Sequence, residues 1–202
     1  VLAFSALTGT YQWCLQIARE TKKIFPPVTT VFGGIHSTAL ARDVLGREEV
    51  DAVCAGEGEI GFMQLLRALD NGGLNGPFPN ILYKQKDGHV VRGEPAGFFQ
   101  DLDGLPFFDK ELWEDYLYLG ESYITMASRG CPYRCTYCFN SFYPGGRKGP
   151  YVRYRSVAHV IEELRRAKAR YRLRLVEFFD DVFTLRKEWL EKFAQEYRRE
   201  IN

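Results

Sequence analysis

The feature that most constrains the fold is a rhythm: over residues 1–71, short apolar runs alternate with stretches of helical periodicity. The runs at 1–7, 28–32 and 50–55 read as strands, and the amphipathic patterns at 11–25, 37–45 and 60–71 read as helices. A βαβαβα order with connections this short favours a parallel sheet covered on both faces. A ligand then belongs at the carboxyl ends of the strands. The loops there carry glycine: Thr8-Gly9, Gly33-Gly34 and Gly56-Glu57-Gly58-Glu59. Residues 80–83 and 89–92 flank a Lys86-Asp87-Gly88 turn and suggest a small hairpin appended to this domain.

Proline and glycine between 95 and 106 have the punctuation of a linker, and a second α/β pattern follows. It consists of a strand at 123–128, a cysteine-bearing loop, a helix at 156–171, a strand at 173–179 and a helix at 186–200. The expected organisation is a domain at 1–93, a linker at 94–117 and a second domain at 118–202. In fold class the chain is α/β, with a doubly wound, Rossmann-like first domain followed by the first βα units of a partial (β/α) barrel. Position 1 is Val, and residues 1–7 read as a strand with no turn or cap before it. At the other end, an amphipathic pattern over 187–201, with Trp189, Leu190, Phe193 and Tyr197 on one face, stops without a clear cap. The sequence is therefore expected to be part of a longer one, the first domain missing its start and the barrel its later strands. Such a piece should hold a cofactor but not turn over.

A formal net charge of +1 gives no global attraction to nucleic acid. No apolar run approaches the roughly 20 residues a membrane-spanning helix needs, and no secretory leader opens the chain, so a cytoplasmic location is the default.

Five cysteines occur, and Cys131, Cys135 and Cys138 form C-x3-C-x2-C directly after a predicted strand. Three thiolates from one loop can hold three irons of a cubane cluster and leave the fourth without a protein ligand. Gly130 permits a tight exit from the strand, and Arg129 and Arg134 bring positive charge that favours thiolate. A structural zinc site wants four ligands, and neither Cys14 nor Cys54 has a partner at suitable spacing. The odd count and close clustering disfavour disulfides. Cys14 and Cys54 read as buried thiols.

The segment RGCPYRCTYCFN resembles the cluster loop of the radical S-adenosylmethionine superfamily, whose pattern is C-x3-C-x-aromatic-C, with Tyr137 in the aromatic place. The resemblance implies that Cys131, Cys135 and Cys138 ligate a 4Fe-4S cluster, that the remaining iron chelates S-adenosylmethionine, and that Tyr137 lies near the adenine. The later run Val176-Glu177-Phe178-Phe179-Asp180-Asp181 ends a strand in two acids. Asp180 can accept hydrogen bonds from S-adenosylmethionine or cap the following helix; for Asp181 capping is the preferred reading. Arg153 and Arg155 read as a solvated cationic edge rather than as contacts to a carboxylate or phosphate.

The first domain resembles the cobalamin-binding domain fused ahead of many radical S-adenosylmethionine enzymes. Ser5-Ala6-Leu7 matches that family's S-x-L at a strand end, and Gly33-Gly34 matches its later glycine pair. Cobalamin contacts are thereby expected at Ser5, Leu7, Thr8, Gly33, Gly34, Gly56 and Glu57. Glu57 and Glu59 also read as caps for the helix beginning near residue 60. The family's D-x-H-x-x-G, whose His can ligate cobalt, would lie before residue 1. His36 is not assigned that role and reads as a helix-start histidine satisfied by its own loop. Residues 144–150 (PGGRKGP) can cradle a phosphate through their amides but lack the rest of a P-loop, and they read as a mobile loop near the site.

The resemblance implies an enzyme that cleaves S-adenosylmethionine reductively to a 5'-deoxyadenosyl radical, with cobalamin, for methylation or for carbon-skeleton or ring chemistry. It also implies a small-molecule substrate and an electron donor such as flavodoxin or ferredoxin. Two alternatives stay open: a radical enzyme whose first domain no longer binds cobalamin, and a non-catalytic iron-sulfur or zinc module.

Overall fold

A computed structural model describes residues 1–201 except 86, 117, 118, 120 and 144. Lys86 of the expected turn, Pro144 of the glycine-rich stretch, Asn202 and the expected boundary at 117/118 therefore lie outside the described residues. The chain forms two compact units, one of residues 1–99 and 135–149, the other of residues 100–134 and 150–202.

The first unit is built on a five-stranded sheet in the order β1 (Leu2–Ser5), β2 (Thr30–Gly33), β3 (Ala52–Cys54), β4 (Ile81–Lys84), β5 (Val90–Arg92). β1, β2 and β3 are parallel, with Ser5 opposite Gly33 and Phe32 opposite Val53. The hairpin is no appendage. β4 pairs antiparallel with β3, Val53 opposite Leu82, so the hairpin continues the sheet. The reason lies in the residues: Ile81, Leu82 and Tyr83 are all buried, and their amides satisfy an edge that β3 would otherwise leave open.

Helices cover both faces. In α1 (Tyr11–Ile24), Tyr11, Leu15 and Ala18 recur at helical spacing and pack on Phe32, Val53 and Leu82. Lys22 and Lys23 in its last turn complement the helix dipole, and Pro26-Pro27 follow its end. The helix expected at 37–45 is two short ones, α2 (Gly34–Ala39) and α3 (Ala41–Leu45), separated at Leu40 (φ −122, ψ 38). α4 (Gly61–Asp70) lies on the opposite face, where Leu65 packs with Val31, Ala52, Ile81 and Tyr83.

In the second unit β6 (Tyr123–Thr125) pairs in parallel with β9 (Val176–Phe178), and α5 (Val157–Arg170) connects them, as a βα barrel requires. Ser156 caps α5 by accepting from the His159 amide at 3.1 Å. Val157, Val160, Ile161, Leu164 and Ala167 form its buried stripe. α6 (Lys187–Glu200) buries Trp189 and Phe193, whose rings stack with centroids 5.2 Å apart. The sequence reading missed one ladder. β7 (Ser128–Arg129) pairs antiparallel with β8 (Arg153–Tyr154), bracketing the loop between them.

Candidate functional site

In the first unit the parallel register brings the ends of β1, β2 and β3 to one edge. The Ala6 amide donates to the Gly33 carbonyl at 2.9 Å, and the His36 amide donates to the Ala6 carbonyl at 3.2 Å. Between them sits Gly34 at φ +84, where an added Cβ would lie 2.7 Å from the Ala6 nitrogen. Only glycine fits that approach. Ser5, Leu7 and Thr8 are exposed beside it, and Gly33 is half-buried. His36 is buried, pairs through Nδ1 with the Thr8 hydroxyl at 3.1 Å and packs on Tyr11, so its partner comes from the β1–α1 loop and not from its own.

The β3 end is engaged differently. The Gly56 amide donates to the Thr38 hydroxyl at 3.0 Å, and Arg147, brought in by the 135–149 segment, donates to the Ala55 carbonyl at 3.1 Å. Glu57 was expected as a helix cap. Instead its carboxylate accepts from the Phe99 amide at 2.8 Å, and α4 starts at Gly61 after Ile60, without a side-chain cap. Burial, with the Glu57 charge adding to it, pushes the Tyr143 hydroxyl up to about 12, and Arg147 lies 4.8 Å over that ring. The 144–150 stretch stood out in the sequence for its amides rather than for Arg147, and no signal pointed to Asn80, although the buried Asn80 ties the Glu57 carbonyl to the Ala96 amide through its side chain. Exposed polar and apolar side chains on a glycine-shaped edge fit a flat macrocycle with polar substituents.

All five cysteines are free thiols. Cys135 and Cys138 fall in the first unit, where the Cys138 amide donates to the Cys135 carbonyl at 3.0 Å and a 3-10 turn at Phe139–Ser141 follows. Asn140 was not anticipated. It is buried, and its amide nitrogen lies 3.6 Å from the Cys138 sulfur as donor, the kind of contact that tunes a cluster potential. Cys131 falls in the second unit, and among the described residues no three metal-ligating side chains are gathered. Cys131 and Cys138 are half-buried and Cys135 is exposed, so three soft donors without disulfides fit an iron-sulfur cluster. Tyr137 is 92% exposed.

In the second unit Gly130 has φ +89, and an added Cβ would meet the Tyr151 carbonyl oxygen at 2.4 Å. Asp180 caps no helix. One carboxylate oxygen accepts from the Ala127 amide at 2.9 Å and the other from the Ser128 hydroxyl, which fixes the β6–β7 bend just ahead of Cys131. Asp181 does not cap α6 either, since that helix begins at Lys187. Turns intervene, and Phe183 packs among Phe178, Trp189 and Phe193. Arg153 and Arg155 are not a solvated edge: Arg153 is 5% exposed, with Nε donating to the Tyr151 carbonyl at 3.0 Å, and Arg155 pairs with Glu163 at 2.6 Å. A strand and a buried carboxylate, both invisible to local periodicity, draw these cations inward.

Glu163 also accepts from Lys110, Tyr123 and Thr125, at 2.9, 3.1 and 2.9 Å. Burial alone would raise its carboxyl, but Lys110 and Arg155 outweigh that and hold it below the usual range. Burial and the Arg155 charge push His159 down. Glu163, Lys110, Thr125, Arg155 and His159 line a mostly apolar cavity of about 980 Å³, walled by Phe107, Trp113, Ile124, Met126 and Phe179. Such a cavity suits an organic ligand held by a few polar contacts.

The B12 binding domain family matches residues 1–66, and the Radical SAM superfamily matches residues 126–201. An uncharacterised methyltransferase of Pyrococcus horikoshii is 33% identical over 193 residues, covering 93% of this chain and 41% of the relative. The anaerobic magnesium-protoporphyrin IX monomethyl ester cyclase of Rubrivivax gelatinosus is 35% identical over 136 residues, 61% of this chain and 23% of the cyclase. The chain thus spans less than half the length of either. The cobalamin-dependent S-adenosylmethionine radical enzyme OxsB, solved with aqua-cobalamin and S-adenosylmethionine bound, shares the fold with a TM-score of 0.77 at 16% identity, over 100% of this chain and 29% of OxsB. Among the described residues no helix is long and apolar enough to cross a membrane. The chain thus carries a B12 binding domain over residues 1–66 ahead of a Radical SAM superfamily domain over residues 126–201.

Proposed function

We propose that the protein is a radical S-adenosylmethionine enzyme that holds a 4Fe-4S cluster through Cys131, Cys135 and Cys138 and works with cobalamin in methyl transfer or in carbon-skeleton or ring chemistry. The observation that carries this reading is the thiol set: three free cysteines in one loop, one short of the number that saturates a cubane. When bound, the cluster and S-adenosylmethionine supply a one-electron cleavage that yields a 5'-deoxyadenosyl radical. The chain's own part is positional. Asp180 holds the bend that leads into the cysteine loop, and each of its oxygens keeps a second lone pair for the ammonium or ribose of S-adenosylmethionine. The exposed Tyr137 ring is assigned to the adenine. Ser5, Leu7, Thr8, Gly33, Gly34, Gly56 and Glu57 are assigned to the cobalamin edge, the first three presenting exposed side chains, the half-buried Gly33 and Gly34 shaping the β2 end, and the last two shaping the β3 end.

A methyltransferase and a cyclase among the relatives support methyl transfer or ring closure as outcomes. The substrate is a small molecule, the electron comes from a donor such as flavodoxin or ferredoxin, and five free thiols suit the reducing cytoplasm. The division into a cobalamin domain at 1–93, a linker at 94–117 and a barrel portion at 118–202 belongs to the same proposal.

Anaerobic reconstitution tests it. The parent chain should bind about four irons, single Ala variants of Cys131, Cys135 and Cys138 should lose most of them, and Cys14→Ala and Cys54→Ala should keep them. Full iron retention by Cys135→Ala would sink the ligand assignment. A visible spectrum without cobalamin bands after desalting would remove the cobalamin half.

A further inference from the structure

The first unit holds a second concavity, of about 550 Å³, that the cysteine loop and the open β1–β2 edge do not use. Three arginines from three different elements line it: Arg42 on α3, Arg92 on β5 and Arg147 from the glycine-rich stretch. Against three cations, the described wall carries one carboxylate, Asp43. The Arg42 and Arg92 guanidinium groups are exposed and engage no acceptor among the described residues. Among the described residues Arg147 donates to carbonyl oxygens, those of Ala55 and Tyr143, and to no carboxylate. Gly145 and Gly146 also line the pocket, and nothing lies within 4 Å of where a Gly146 Cβ would be, so a ligand can approach the backbone there.

A concave wall with unbalanced positive charge attracts an anion. Guanidinium forks match tetrahedral oxyanions, and three separate forks suit the three free oxygens of a phosphate better than the two of a carboxylate. We propose that Arg42, Arg92 and Arg147 form a binding site for a phosphate group. The site requires neither a cluster nor cobalt and so stands apart from the function proposed above. The phosphate is a monoester, which keeps all three free oxygens, carried on a small molecule.

The test is isothermal titration of the cluster-free full chain with inorganic phosphate at constant ionic strength. Arg42→Gln and Arg92→Gln should each weaken binding about tenfold, as expected for loss of one charge-assisted hydrogen bond. The double variant should abolish it. Both side chains are exposed and bond nothing, so the melting temperature should not move, and the exposed Arg67→Gln should bind as the parent does. Parent-like affinity in the double variant, absence of binding by the parent, or equal loss in Arg67→Gln would each overturn the site. Cobalamin and cobinamide, which lacks the nucleotide tail, complete the test. The double variant should bind both as the parent does, and a loss for cobalamin but not cobinamide would overturn the monoester assignment.

Discussion

Glu163 gathers Lys110, Arg155, Tyr123 and Thr125 around a carboxylate that is 5% exposed as a residue. Removing one partner of a buried ion pair leaves the others uncompensated, so Glu163→Gln should cost about 3–5 kcal/mol at neutral pH. The pH dependence has a definite sign. A carboxyl held below its unfolded value stabilises the fold at pH above the usual carboxylate range and loses that contribution as pH falls through its folded value. Urea unfolding at pH 7 and at pH 4 should therefore show a smaller gap between parent and Glu163→Gln at the lower pH. A gap that widened on acidification would contradict the lowered carboxyl. Part of this centre was legible in the sequence, since Glu163 interrupts the apolar stripe of Val160, Leu164 and Ala167. Lys110, 53 residues away, carried no local signal.

Among the elements, the β1–β2 edge shows how closely two strand ends can be joined. Gly34 turns out of β2 with positive φ against the Ala6 backbone, whereas a Cβ on Gly33 would have its nearest neighbour at 3.6 Å. Gly34→Ala should destabilise the chain by about 2 kcal/mol or more through left-handed backbone and overlap together, and Gly33→Ala should be close to neutral. Chemical denaturation of the two variants decides this, and equal midpoints would show that Gly34 is not in close contact with Ala6. The glycine pair was legible as a strand-end motif, but periodicity could not say which of the two tolerates a side chain. Likewise, the acids at 180–181 were legible as a strand end. The bond from Asp180 to Ser128 was not, because it joins residues 52 apart.

Across the whole molecule the five thiols occupy distinct environments. Burial, reinforced by the Glu59 charge and opposed by Arg147, pushes the Cys54 thiol up to about 11, while Cys135 is exposed. Iodoacetamide at pH 8 on the cluster-free chain should modify Cys135 first, the half-buried Cys131, Cys138 and Cys14 more slowly, and Cys54 only after unfolding. Peptide mapping over time checks the order, and early labelling of Cys54 would contradict the packing of β3 against α4. The sequence by itself determined the βα alternation, the hairpin, the cysteine triplet and the glycine-marked strand ends, because apolar periodicity, turn chemistry and ligand spacing are properties of neighbours in the chain. Only the tertiary structure decided that the hairpin completes the sheet, that Arg153 and Arg155 turn inward, and that Arg147 joins Arg42 and Arg92 around one pocket. Each of those outcomes depends on groups far apart in sequence satisfying one another's hydrogen bonds and charges, and no local pattern encodes which distant partner will be there.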